Sequence, residues 1–182
     1  MRTFKELLIE LNACKAAREW AGDMTIEQVV EKCHRGDWLL WLAEKIEVFE
    51  RLRYLAAGHC ANTVRHLMQD ERSRDAVDAV IAYGEGKIGM DELFSRKCGA
   101  VSAFADAAAE ANAKAAAGVD SFTAAAYATN AAGAAAYACV EIYHSTASTD
   151  SKANQIETAA ICRKYLGDEI ITKVNQLLNQ EL

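Results

Sequence analysis

Residues 33–45 read CHRGDWLLWLAEK, and this stretch favours a helical fold. A glycine turn leads into Asp37, and apolar residues that include Trp38 and Trp41 follow. Because Asp is a preferred helix N-cap, Asp37 is predicted to cap a helix that begins at Trp38. Residues three apart share a helix face, so both tryptophans should point to one side, where large aromatics usually anchor a core. Core packing is therefore preferred over a ligand platform, although one ring could instead face a binding groove.

The amino-terminal part of the chain carries two capping boxes. TFKE at 3–6 and TIEQ at 25–28 each place a threonine three residues before a side chain that can bond back to the helix start. Together with the apolar spacing, they predict helices over about 3–20 and 25–34. Proline is absent from the whole sequence, which removes the strongest helix breaker. The chain is expected to be all-α.

Further helices follow from apolar residues that recur at intervals of three and four. This spacing predicts one helix over 47–68 and another over 75–83. GEGKIG at 84–89 is the clearest loop in the sequence and the best candidate for a hinge. Residues 150–182 are predicted to form two amphipathic helices, which LGDE at 166–169 separates.

The segment from 99 to 147 is dominated by alanine, the strongest helix former. Two long helices broken at Gly118 are expected there, and their small side chains would let them cross closely. The predicted fold is a compact all-α multi-helix bundle with long alanine-rich central helices. It should form a single domain over 1–182, with 1–83 and 90–182 as candidate subregions joined by the glycine loop.

The composition bears on where in the cell the protein acts and on which class of partner it binds. With 182 residues, 52% hydrophobic and 25% charged, the chain resembles an ordinary globular domain. Its amino terminus carries acidic residues within the apolar stretch and lacks a signal-peptide pattern, so a cytoplasmic protein without membrane contact is expected. Six scattered cysteines indicate free buried thiols. The net charge of −6 is spread over both halves, which argues against nucleic-acid binding.

Motifs for catalysis or metal binding are weak throughout. His59 and His66 could share a helix face beside Cys60, but these residues do not complete a tetrahedral site. Cys33 and His34 are neighbours, and adjacent residues on a helix point about 100° apart, so they do not make a nucleophile–base pair. No catalytic residue, metal or cofactor is predicted.

The two tyrosines of the alanine tract offer a candidate partner surface. Tyr127 and Tyr137 are ten residues apart, which separates them by about 80° around a helix. Together with Asn130 they would cover a broad, partly polar flank. If this flank is exposed it could bind a partner, and if it is buried each hydroxyl needs a hydrogen-bond partner such as Asn130.

Three stretches of the sequence, taken in their order along the chain, resemble a known family. They are AREWAGDMTIEQVVEKCHRGDWLLWLAEK at 17–45, RLRYLAAGHCANTVRHLM at 51–68 and the alanine and tyrosine tract. In that order they resemble the family of immunity proteins associated with bacterial polymorphic toxin systems, which look like all-α bundles. The resemblance matches a structural signature of Trp20, Asp37, Trp38 and Trp41. The most specific part of the resemblance is the block RGDWLLWL at 35–42.

The resemblance implies inhibition by binding, without catalysis. An immunity protein binds a toxin domain stoichiometrically and blocks it, and Trp41, Tyr127, Asn130 and Tyr137 are the candidate partner-binding residues. Such families often travel on phages and other mobile elements. The alternative is therefore an anti-defence protein of such an element, which would inhibit a host immune protein or sequester a nucleotide signal. A homodimer is compatible with either function.

Overall fold

The computed structural model describes residues 2–68, 70–100, 102 and 151–180, and every regular element within them is helical. The all-α prediction is confirmed. The predicted alanine-rich helices lie almost entirely outside the described residues. In chain order the elements are α1 (Phe4–Glu10), α2 (Lys15–Ala21), α3 (Ile26–Lys32), α4 (Gly36–Lys45), α5 (Glu50–Asn62), a 3₁₀ turn (Arg65–Leu67), α6 (Glu71–Gly84), α7 (90–100) and α8 (Ser151–Asn179).

Both predicted capping boxes form at the start of a helix. Thr3 caps α1 and Thr25 caps α3, and in each case the side chain three residues on bonds back to the threonine amide. The prediction of one helix over 3–20 is wrong, however, because α1 ends at Glu10 and α2 begins at Lys15. Asn12 lies between them with φ +59°, a left-handed conformation that an α-helix cannot contain.

The start of α4 also differs from the prediction. Gly36 is its first residue, Arg35 occupies the N-cap position without a side-chain cap bond, and Asp37 is the second helical residue. Asp37 is therefore not the N-cap. Its carboxylate instead accepts two hydrogen bonds from the Arg35 guanidinium, at 2.9 Å from Nε and 2.5 Å from Nη2.

The middle of the chain follows the predicted order, although the bounds of the helices differ from the prediction. The helix expected over 47–68 is α5, which ends at Asn62 and is followed by the 3₁₀ turn. The helix expected over 75–83 is part of α6, which begins four residues earlier. The loop predicted at 84–89 is confirmed over 85–89, since Gly84 is still the last residue of α6 and the next helix begins at residue 90.

The prediction of two helices after residue 150 is wrong, because α8 is one helix that runs through LGDE. Gly167 weakens a helix interior by about 1 kcal/mol relative to alanine. Its neighbour Leu166, with Ile170 and Val174, is fully buried, and burial of such side chains contributes about 1.5–3 kcal/mol each. Packing therefore outweighs the local preference for a break.

The main core lies where α8 packs against α3, α4 and α5. Close approach of the helices depends on glycine at several crossings. A Cβ on Gly36 would lie 2.7 Å from three atoms of Thr158 on α8, and a Cβ on Gly84 would lie 2.6 Å from the Leu55 Cβ. The same core therefore joins helices from both ends of the described chain.

Among the residues described, no helix combines the length and the apolarity that crossing a lipid bilayer requires.

Candidate functional site

Three aromatic rings from separate parts of the chain meet at the surface. Trp20 of α2 lies 5.7 Å from Trp38 of α4, measured between ring centroids, and His34 lies 5.9 Å from Trp20 and 6.3 Å from Trp38. We call Trp20, His34 and Trp38 the tryptophan cluster. Both tryptophans pack against the core and remain partly exposed, while His34 is exposed. The cluster therefore presents aromatic surface to the outside.

A narrow apolar cleft of about 40 Å³ opens beside the tryptophan cluster. Both cluster tryptophans line it, and Trp41 does too, so the structure joins all three tryptophans of the chain in one place. Ala17 and the exposed Cys14 also line the cleft. The remaining lining comes from Phe4, Leu8, Ala21, Val29, Cys33, Leu39 and Leu42.

An ion pair holds one edge of the cluster. The Arg35 guanidinium carbon lies 4.7 Å from the centroid of the Trp38 ring, within cation–π distance. The same guanidinium donates both hydrogen bonds to Asp37, whose side chain is only 4% exposed. The Asp37 carboxylate therefore fixes the arginine that covers Trp38.

Replacing Asp37 with asparagine is expected to lower the free energy of unfolding by about 1–2 kcal/mol. The amide keeps the shape but loses the charge and one acceptor oxygen for Arg35, and water compensates in part because the Arg35 side chain is 32% exposed. Urea unfolding of Asp37→Asn, Arg35→Gln and the double variant measures the coupling between the two residues. If Asp37 acted as an N-cap, asparagine would replace it without loss.

The site residues predicted from the sequence fall into two groups. Trp20, Asp37, Trp38 and Trp41 come together around α4, although they are up to 21 positions apart in the sequence. Tyr127, Asn130 and Tyr137 lie outside the described residues. His34 is a contact residue of the cluster that the motif analysis missed, and its only sequence signal is its position directly before the glycine turn.

A second feature is a group of buried thiols, two of which make a contact that the sequence did not predict. Cys33, Cys60 and Cys162 are free and buried, as predicted, and the Cys60 and Cys162 sulfurs lie 3.7 Å apart. The prediction is wrong for Cys14 and Cys98, which are exposed. Burial raises the pKa of the Cys33 thiol, while the hydrogen bond shared with Cys60, together with burial, raises the pKa of the Cys162 thiol. The Cys33 and Cys162 thiols therefore favour the protonated form.

No group of three or more histidine, cysteine or carboxylate side chains could hold a metal ion within the described ranges. His59, one of the weighed metal ligands, stacks on Tyr165 with ring centroids 4.8 Å apart and planes 5° from parallel. Its ring thus takes part in packing between α5 and α8.

No family model matches the chain, and searches of curated proteins and of solved structures find no match either.

Proposed function

We propose that this chain is a non-catalytic binding protein that neutralises a bacterial toxin effector in the cytoplasm by stoichiometric protein–protein binding. The tryptophan cluster and its cleft form part of the contact surface. The observation that carries this proposal is the pair of partly exposed tryptophans, Trp20 and Trp38, at 5.7 Å beside an open apolar cleft.

Tryptophan, tyrosine and arginine are the residues that most often dominate binding energy at protein interfaces. The site presents Trp20, Trp38 and Trp41 together with Arg35, on helices that are anchored in the core. Rings held in place by a core lose little conformational freedom on binding, which favours affinity. A partner would insert an apolar side chain into the cleft, and the net charge of −6 favours a basic partner.

The size of the cleft bears on the alternative of nucleotide sequestration. Ligand pockets usually measure about 300–1,000 Å³. At about 40 Å³ the tryptophan cleft fits one small apolar side chain rather than a nucleotide. Its lining is made of apolar and cysteine side chains, which offer no charged partner for a phosphate.

The test is capture of the tagged protein from the lysate of its host, followed by native mass spectrometry. We expect one co-captured polypeptide at fixed stoichiometry, whose toxic activity the purified protein inhibits in proportion to the amount added. Ala17→Leu, which fills the cleft and keeps all three tryptophans, should weaken binding about tenfold or more, which corresponds to about 1.4 kcal/mol. Titration by calorimetry with the isolated partner measures this change.

Phe49→Ala is the matched control, since Phe49 is 61% exposed and does not line the cleft. It should change affinity less than about threefold, and thermal melting of both variants excludes unfolding as the cause. If Ala17→Leu and the wild type bound the partner with equal affinity, the cleft would not be part of the contact surface. A small added mass released on denaturation, in place of a polypeptide, would contradict neutralisation by protein binding.

A further inference from the structure

Two buried cysteines from distant parts of the chain meet between α5 and α8. Cys60 and Cys162 are separated by 102 positions, and their sulfur atoms lie 3.7 Å apart. Cys60 is 3% exposed and Cys162 is fully buried. Both thiols also contact backbone carbonyl oxygens, Cys60 that of Thr158 at 3.7 Å and Cys162 that of Gly36 at 3.5 Å.

The geometry lies close to what a disulfide needs. A disulfide joins two sulfurs at about 2.05 Å, so the sulfurs would have to approach by roughly 1.6 Å. Rotation about the Cα–Cβ bonds moves a sulfur by this order of distance while the helices stay in place. The helices that carry the two cysteines pack against each other, and Ala56 and Ala57 on α5 and Ala159 on α8 are also buried.

We propose that Cys60 and Cys162 are an oxidation site at which hydrogen peroxide forms a disulfide that links α5 to α8. One thiolate attacks the peroxide O–O bond, becomes a sulfenic acid and releases one water after proton transfer. The other thiol then attacks that sulfur, the S–S bond forms and a second water leaves. Two thiols lose two protons and two electrons, and one peroxide is reduced to two waters.

Burial sets the rate of this reaction. Because the shared hydrogen bond and burial raise the pKa of Cys162 well above the ordinary range, little thiolate is present at neutral pH. Peroxide also has to reach a site that is closed to solvent. The pair is therefore reduced at rest, oxidises slowly, and should oxidise faster as the pH rises from 7 to 9.

The experiment uses the full chain with Cys14→Ser, Cys98→Ser and Cys139→Ser, which removes the two exposed thiols and the one cysteine outside the described residues, so that only Cys33, Cys60 and Cys162 can react. After exposure to hydrogen peroxide, intact mass spectrometry should show the loss of two hydrogen atoms, and a non-reducing peptide map should place the bond between Cys60 and Cys162. Melting temperature should rise by several degrees, because the bond closes a loop of about 100 residues in the unfolded chain. Dithiothreitol should reverse both changes.

Two further variants separate this pair from Cys33, the third buried thiol among the described residues. Cys33→Ala should keep the disulfide, whereas Cys162→Ala should abolish it. A bond mapped to Cys33, oxidation of Cys60 and Cys162 to separate sulfinic acids, or a disulfide that forms only in urea would each overturn the proposal. A lower melting temperature of the oxidised protein would do so as well, because it would mean that the native helices cannot accept the bond.

Discussion

Valine in place of Gly36 is expected to destabilise the protein by roughly 3 kcal/mol. The first atom of any side chain at this position would lie 2.7 Å from the carbonyl carbon, Cβ and Oγ1 of Thr158. The carbonyl carbon belongs to the backbone of α8, and Thr158 itself is buried, so α4 and α8 would have to separate. Urea unfolding followed by circular dichroism measures the loss.

Gly36→Ala and Gly89→Ala complete this series. The alanine at 36 should cost about 1–2 kcal/mol, since it adds the clashing atom without the branches. Gly89 has no heavy atom of the described residues within 4 Å of a Cβ placed on it, so its alanine variant should change stability by less than about 1 kcal/mol. Equal effects of the two alanines would show that the helices do not cross this closely at Gly36.

Leu166→Ala is expected to lower the free energy of unfolding by about 2–5 kcal/mol. Leu166 is fully buried in the core that α8 shares with α3 and α4, and alanine would leave a cavity there. The same residue belongs to LGDE, so a large loss would show that this stretch packs in the core and is not an exposed break. Thermal and urea unfolding are the measurements.

Ile156→Ala serves as the control on the same helix, because Ile156 is 57% exposed. Its removal should change stability by at most about 0.5 kcal/mol. A small effect of Leu166→Ala, similar to that of Ile156→Ala, would contradict the burial of this part of α8.

Local signals in the sequence predicted where several helices begin, and they failed where packing decides. The capping boxes at Thr3 and Thr25 are complete within four residues, so the sequence contains all that is needed to recognise them. The break at Asn12 is local as well, since the Ala13 amide donates to the Leu8 carbonyl and Asn12 takes a left-handed conformation, but the sequence prediction did not recognise it. The continuity of α8 through Gly167 depends on contacts with other helices. Gly167, for example, packs against Val30, which lies 137 positions earlier in the chain.

The candidate site also contains some contacts that local sequence signals predict and others that depend on tertiary packing. The spacing of Trp38 and Trp41 placed both on one helix, and the family resemblance added Trp20 to them. Trp20 lies on α2 and Trp38 on α4, with α3 between them in the sequence, so their contact depends on how these helices pack. The contact between Cys60 and Cys162 joins residues 102 positions apart, and no motif in the sequence marks it.

The position of α8 has a consequence for how the protein is made. A ribosome produces α1 to α6 well before residues 151–179, yet the apolar faces of α3, α4 and α5 are covered by α8. Before α8 is made, these faces lack the contacts that α8 supplies, and exposed apolar surface of this kind is open to chaperones or to other chains. The main core can therefore be complete only after residues 151–179 have left the ribosome, which makes its assembly a late step relative to the synthesis of α1 to α6.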